Sequence, residues 1–467
     1  MSDAQNQSKY SRTLGVDSYR KRRRWNRVWR VLVILILVGI IGSASYVFGK
    51  QFVGKDAVPL DLPDITAPLQ TSSGSANTVV TPPAPTMQPA TISIVSSGDV
   101  VVEGAVTESG RLDTGAYEFD HLFKRIRGEL RDFDVRIVQQ EDVIAGGDFG
   151  FGASNPLNAP QELGRAEEHA GFNVVLRAND HSLDTGEEGI HNELVWWRDN
   201  LPEVPILGLA DKDPQNNPML ANYVSNVYLY EKDGFKIAIL NHSDNIPDES
   251  NGMVSQLTDE KIKEDVAKAR NQGAEMIVAC VHWGEENNGN IVESQEHFAK
   301  VYANEGVDVV FGTHPRTLQP VEFVESGGHR MLCFYSLGCL ITGQGDNSLL
   351  GGFGEVELTR TNNGEYQISS ARLRPTVTHR SNGEDYNAFM LSDYRDEDCW
   401  NSWDGWITVD EYNRRCSEAL GNGYNAEEGA LEVHLGGGNQ DANDAESQQG
   451  EGSNEEAENQ NTAEEEG

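Results

Sequence analysis

The stretch Val174-Val-Leu-Arg-Ala-Asn-Asp-His-Ser-Leu-Asp-Thr-Gly186 decides the fold. An apolar run of strand length stops and gives way at once to Asn179, Asp180, His181 and Asp184, polar groups suited to metal or phosphate chemistry. Two other segments repeat the design. Met276-Ile-Val-Ala-Cys-Val-His282-Trp-Gly284 and Val307-Asp-Val-Val-Phe-Gly-Thr-His314-Pro-Arg316 each carry an apolar run into a histidine with a glycine close by. Three such ends can converge on one edge of a sheet.

Working outward, strands and helices alternate. Thr91 to Val100 reads as a strand ending in Gly98-Asp99, and Phe119 to Phe133 as a helix with apolar residues at Leu122, Phe123, Ile126 and Leu130. Val135 to Val138 is a strand that leads into Gln140-Glu141-Asp142. Ala159 to His169 reads as a helix before the strand Phe172 to Leu176, and helices Thr258 to Gln272 and Ser294 to Glu305 precede the His282 and His314 strands. This alternation predicts an α/β layered fold, in which ligand sites lie beyond the carboxyl ends of strands. Asp99, Glu141, Asn179, His181, His282 and His314 all stand at such ends. Each taken singly reads as a turn, a cap or a hydrogen-bonded loop residue. Together, carboxylate, amide and imidazole form the ligand set of a hard or borderline divalent ion in a hydrolytic site.

The flanks carry different information. With 467 residues, 38% of them hydrophobic, the chain can build a large core over part of its length, and its formal charge of −37 argues against nucleic acid as a partner. Residues 1–30 are basic, with Arg20-Lys-Arg-Arg-Arg24, Arg27 and Arg30 ahead of an uncharged apolar run. Residues 31–49 read as one transmembrane helix, near the roughly 20 residues needed to span a bilayer, with the positive flank in the cytoplasm and the main domain extracytoplasmic. A cleaved signal peptide is the competing reading, with Gly42-Ser-Ala-Ser as the small-residue site. Residues 50–90, rich in Pro, Ser and Thr, read as a linker, 91–378 as the folded domain, 379–425 as a C-terminal extension and 426–467 as a disordered acidic tail. No Lys or Arg occurs from Cys416 onward.

Five cysteines do not make a disulfide scaffold for a chain of this size. Cys280 reads as a small core residue, and Cys333 and Cys339 as flanking the strand Phe334-Tyr-Ser-Leu. Cys399 and Cys416 bracket a tryptophan-rich segment and are candidates for a bridge. Asp404 to Glu411 matches the second half of an EF-hand loop, but its first place falls on Trp400, which cannot bind calcium; packing through Trp400, Trp403 and Trp406 is the better reading. The glycine-rich Gly146 to Gly152 reads as a loop.

The order of Gly98-Asp99-Val100, Gln140-Glu141, Ala178-Asn-Asp-His-Ser-Leu-Asp-Thr-Gly186, His282-Trp-Gly284, Gly312-Thr-His-Pro-Arg-Thr-Leu-Gln-Pro320 and Tyr335-Ser-Leu-Gly338 resembles the CapA family of capsule or poly-gamma-glutamate biosynthesis proteins. The resemblance spans residues 91 to about 375. It implies a fold similar to the calcineurin-like metallophosphoesterases, an αββα sandwich with two sheets face to face and helices outside. It also implies a membrane-anchored part of a machine that makes or exports an anionic polymer, with the membrane, the polymer and membrane-bound synthase subunits as partners. The alternative is a metal-dependent phosphoesterase-type hydrolase with a degenerate site.

Departures from the family pattern bear on the site. Gln139-Gln140-Glu141 replaces Asn-Leu-Glu, Asn179-Asp180-His181 replaces Asn-Asn-His, Ser336-Leu-Gly-Cys339 replaces Ser-Leu-Gly-Asn, and His314-Pro-Arg316 replaces His-Pro-His. By that resemblance Glu141, Asn179, His282 and His314 hold one metal position. The other keeps Asp99 and Glu141 but has Val101 and Arg316 where imidazoles stand. Arginine cannot ligate a cation, though its guanidinium can neutralise carboxylates as an ion does and can bind phosphate or carboxylate. The resemblance thus implies at most one divalent ion (Mn, Zn, Fe or Mg), with His181 oriented by Asp184 as the acid and Arg316 on the anionic group. No Walker-type motif supplies nucleotide chemistry, so an ATP-dependent step belongs to partners.

Overall fold

The structure, a computed structural model, describes residues 88–211, 224–246, 252–381, 385–400 and 407–436. The chain first lays down five parallel neighbours, β1 (Ala90–Val100), β2 (Val135–Gln140), β3 (Val174–Leu176), β4 (Ile206–Leu207) and β5 (Val224–Ser225). It then builds a second sheet from β6 (Val227–Lys232), β7 (Phe235–Ser243), β8 (Met276–His282), β9 (Val309–Thr313), β10 (Val321–Ser326) and β11 (His329–Phe334), in the order β10-β11-β9-β8-β7-β6. Here β7, β8, β9 and β11 run parallel, and the edge strands β6 and β10 are antiparallel. The chain returns to the first sheet with β12 (Cys339–Ile341), β13 (Leu350–Arg360), β14 (Tyr366–Ser381), β15 (Asp385–Met390), β16 (Tyr424–Asn425) and β17 (Ala430–Glu432).

Side chains alternate along a strand, so each sheet has two faces to cover. One apolar cluster joins Ile92, Ile94, Ile137 and Val174 of the first sheet to Ile237, Ile239, Val278, Val309 and Phe311 of the second. The two sheets therefore pack face to face. On the other side of the first sheet, Val95, Val138 and Val175 meet Leu122, Leu163, Ile190, Leu194 and Trp197. These come from short helical turns and from the helices Glu162–Ala170 and Gly186–Asn200. On the far side of the second sheet, Leu240, Ile277 and Ala279 meet Ile262, Val266, Ala299 and Tyr302 of helices Asp259–Asn271 and Glu293–Asn304. The layers read helix, sheet, sheet, helix, so the expected α/β sandwich is what the described residues form.

Several expectations need correction. The helix expected over Phe119 to Phe133 is two short turns, Asp120–Phe123 and Arg127–Leu130. Its four apolar residues are all buried. The break falls at Lys124 to Ile126, ahead of Gly128, and Arg127 folds back to bond Asp120 at 3.0 Å. Cys333 lies within β11 rather than beside a following strand. Cys399 and Cys416 are both buried thiols, so the bridge considered between them is not formed. Each instead packs in the inter-sheet apolar cluster with Tyr394, Tyr412 and Tyr424.

The disordered tail expected over residues 426–467 contains ordered structure near its start. Ala430–Glu432 is a strand on β14, because buried Ala430 and Leu431 supply apolar contacts and Val433 N donates to Ala371 O at 2.9 Å. Residues 437–467 lie outside the described residues, as do 401–406 of the EF-hand-like segment. Glu411 of that segment sits in the helix Val409–Leu420 and pairs with Arg414 and Arg415. No helix among the described residues is long and apolar enough to cross a membrane, and the span expected at 31–49 lies outside them.

Candidate functional site

The carboxyl ends of the parallel strands of both sheets point the same way, and the polar residues that follow them meet there. Asp99 is the penultimate residue of β1, whose register slips between Asp99 and Val100. The strand passes so close to the loop before β12 that a Cβ on Gly98 would lie 2.3 Å from Gly338 O. That close approach, possible only for glycine, sets Asp99 in place. Its Oδ2 accepts from His314 N at 3.0 Å, and its Oδ1 lies 3.5 Å from His282 Nδ1, buried and without a hydrogen-bond partner.

His282 ends β8 and is fully buried. Its Nδ1 faces Thr313 Oγ1 at 3.1 Å, and its Nε2 faces both Asp180 Oδ1 at 2.9 Å and His314 Nδ1 at 3.0 Å. His314 follows β9 with φ 92, and two residues on Arg316 has φ 56. Such left-handed angles are uncommon for side-chain-bearing residues and mark a loop whose surroundings enforce its shape. Asn245 reaches His314 Nε2 at 3.1 Å from the other side.

The structure thus brings together Asp180, His282 and His314. Their facing atoms are 2.9, 3.0 and 3.9 Å apart. A tetrahedral ion bonded at about 2.0–2.2 Å sets its ligand atoms roughly 3.3–3.6 Å apart, within that range of separations. The partnerless Asp99 Oδ1 adds a further oxygen beside His282. Donor type and spacing therefore fit one divalent ion. Bound there, an ion would supply a Lewis acid and an acidified water.

Asp180 is the residue that sequence reasoning missed as a ligand. Asn179, expected in its place, turns its amide on its own loop: Oδ1 accepts from His181 N at 3.0 Å and from Ser182 Oγ at 3.2 Å, while Nδ2 donates to Gln140 O at 3.0 Å. Asn179 shapes the turn, and the turn presents Asp180. The substitution of Asp for the family's second Asn was the available signal.

Glu141, just beyond β2, is fully buried and is paired with the guanidinium of Arg316. Its other oxygen has no hydrogen-bond partner. His181 Nε2 stands 3.5 Å from Glu141, and His181 Nδ1 bonds Asp184 Oδ2 at 2.8 Å. Asp184 is itself fixed by Leu157 N at 2.7 Å. Glu141, Asp180 and His181 form a second group of possible donors. The permanently charged Arg316 guanidinium already neutralises Glu141, so a second metal ion fits poorly there.

Charge follows from these contacts. Burial alone would lower the His181 pKa, but the Asp184 hydrogen bond and the nearby Glu141 and Asp180 carboxylates raise it to about 9. Burial opposes the charge on His282 too, yet the hydrogen bond to Asp180 and the nearby Asp99 carboxylate lift it to about 10. His314 goes the other way, to about 4, through burial and the repulsion of His282. Burial pushes Glu141 up to about 7 against the pull of Arg316. An ion held by His282 must displace a proton from that ring. His181, protonated and oriented by Asp184, has the geometry of an acid that can donate to a leaving oxygen.

Behind the site lies a support that the sequence did not disclose. Arg177, fully buried, donates from Nε to Glu193 Oε1 at 2.6 Å and from Nη2 to Glu193 Oε2 at 3.1 Å. Its Nη1 donates to Gln140 O at 2.6 Å and Glu141 O at 3.2 Å. Asn241 of β7 caps the Arg177 and Ala178 N–H groups at 3.1 and 2.8 Å. One guanidinium thus holds the loop after β2 against the loop after β3.

The chain is similar in sequence to one described family and to proteins of capsule biosynthesis. The model of a family described as bacterial capsule synthesis protein PGA_cap matches residues 93–344. The capsule biosynthesis protein CapA of Bacillus anthracis is 28% identical over 198 residues, covering 40% of this chain and 44% of that protein. The PGA biosynthesis protein CapA of Bacillus subtilis is 23% identical over 223 residues, covering 46% of this chain and 54% of that protein. The chain spans about half the length of the curated relatives it matches. The solved calcineurin-like phosphoesterase YfkN from Bacillus subtilis superposes with a TM-score of 0.39 at 12% identity, covering 62% of this chain and 91% of that one, a likeness too slight to build on. The matched span runs from within β1 to just past β12 and contains every residue of the site, and the chain belongs to the bacterial capsule synthesis protein PGA_cap family.

Proposed function

We propose that this chain is a membrane-anchored, extracytoplasmic component for the synthesis or export of an anionic capsule polymer such as poly-gamma-glutamate. The observation that carries the reading is the buried Arg316 guanidinium beside a donor cluster fit for one divalent ion, within a chain of formal charge −37. A polyanion is repelled by most of such a surface and engages it only where positive charge is concentrated. Asp99, Asp180, His282 and His314 would hold the ion, His181 with Asp184 would handle the proton, and Arg316 would take the anionic group. The membrane and membrane-bound synthase subunits are the partners this reading requires.

The test is sedimentation of poly-gamma-glutamate with the purified full-length chain in detergent micelles, beside a neutral polysaccharide. Binding of the polyanion alone, weakened by Arg316→Gln, supports the reading. Equal binding of both polymers would overturn it. Topology is checked separately: a Ser72→Cys variant should react with an impermeant thiol reagent added to intact cells.

A further inference from the structure

Arg316 is nine-tenths buried or more, with 4% of its side chain exposed. Its Nη2 is committed to the fully buried Glu141, whereas Nε and Nη1 have no hydrogen-bond partner. A buried guanidinium with two of three nitrogens unsatisfied calls for a ligand. Its second ion-pair partner is Glu286, whose Oε1 lies 3.1 Å from Nε yet outside hydrogen-bond geometry, and whose side chain is 44% exposed; the Asp99 carboxylate acts on it from farther off. The backbone around Glu286 is tied down, since Asn287 N donates to Pro315 O at 2.9 Å and Gln319 Nε2 donates to Asn288 O at 2.9 Å. Only the Glu286 side chain is left to move.

We infer that Arg316 forms a carboxylate-binding subsite capped by Glu286, whose side chain swings outward when a carboxylate of the ligand takes its place. Glu286 shows the chemistry the subsite accepts, because it sets a carboxylate oxygen against the guanidinium. With Nη2 held by Glu141, Nε and Nη1 lie on different edges of the guanidinium, and displacing Glu286 leaves Nε to donate a charge-assisted hydrogen bond to a ligand carboxylate oxygen. The inference rests on the polymer reading and sharpens it: the group recognised is the free carboxylate carried by each unit of a glutamyl polymer.

Calorimetric titration of the full-length chain, freed of metal by chelator dialysis, with glutarate and with inorganic phosphate tests it. Glutarate should bind. Removing an exposed competing ion pair in Glu286→Gln should tighten glutarate roughly two- to fivefold, and Arg316→Gln should weaken it about tenfold or more. No tightening in Glu286→Gln, or phosphate binding that depends on Arg316 and exceeds glutarate, would overturn the subsite. Should Arg316→Gln fail to fold, Glu286→Gln decides alone, since an exposed side chain leaves the fold intact. A parallel titration with poly-gamma-glutamate separates the two ideas. Arg316-dependent glutarate binding without polymer binding keeps the subsite and sinks the polymer reading, while polymer binding indifferent to both substitutions sinks the subsite.

Discussion

Replacing Arg177 with methionine removes the guanidinium that joins Glu193 to the carbonyls of Gln140 and Glu141. Both Arg177 and Glu193 are fully buried, so the substitution strands a carboxylate out of water with only Gln140 Nε2, at 3.2 Å, still bonded to it. Breaking a buried ion pair from one side costs about 3–5 kcal/mol, a large part of the roughly 5–15 kcal/mol that holds a domain together. With a urea slope of about 3 kcal/mol per M, the unfolding midpoint should fall by about 1–1.7 M. Tryptophan fluorescence is the assay, because Trp197 is buried on helix Gly186–Asn200, which carries Glu193. A second variant isolates the cause. Arg177→Met with Glu193→Leu leaves no stranded charge and should recover most of the loss. A single variant within about 0.3 M of the parent, or a double variant no better than the single, would refute the claim that this pair braces the loops of the site.

Other outcomes follow from particular contacts. Glu167 is fully buried with neither carboxylate oxygen hydrogen-bonded, and burial raises its pKa well above the ordinary value of 4.5. Between those two values the folded chain keeps a proton that the unfolded chain releases, so this contribution to stability is whole below about pH 4.5 and falls as pH rises. Glu167→Gln should therefore gain stability over the parent as pH climbs from 5 to 8 in urea titrations; a constant difference would contradict this. Gly98→Ala would place a methyl group 2.3 Å from Gly338 O and displace Asp99, so divalent-ion affinity should fall at least tenfold by calorimetry, whereas unchanged affinity would remove Asp99 from the site. Truncation before Tyr386 strips Phe389, Tyr394, Tyr412 and Leu431 from the inter-sheet cluster and should lower the melting temperature by several degrees or more. An unchanged melting curve would show that this segment does not support the core.

The strands that build the site were legible because each is an apolar run that stops at a polar residue. Met276 to His282 and Val309 to Thr313 were readable for that reason, as were the ends at Asp99 and Glu141. What could not be read was direction within a turn. Asn179, Asp180 and His181 are consecutive, and only the hydrogen bonds of the Asn179 amide decide that Asp180 faces the histidines. The Arg177–Glu193 pair was hidden for a different reason. Its members lie on separate elements and meet only when helix Gly186–Asn200 packs on the first sheet. Strand Ala430–Glu432 was masked by acidic surroundings, because three residues acquire strand geometry from the neighbour they pair with.

Asp180, His282 and His314 would hold one divalent ion, with Arg316 standing against a second. Elemental analysis of the full-length chain after dialysis against metal-free buffer tests it most directly. About one ion per chain is expected, lost in both His282→Ala and Asp180→Asn. Two ions per chain, none, or a stoichiometry unmoved by either substitution would contradict it.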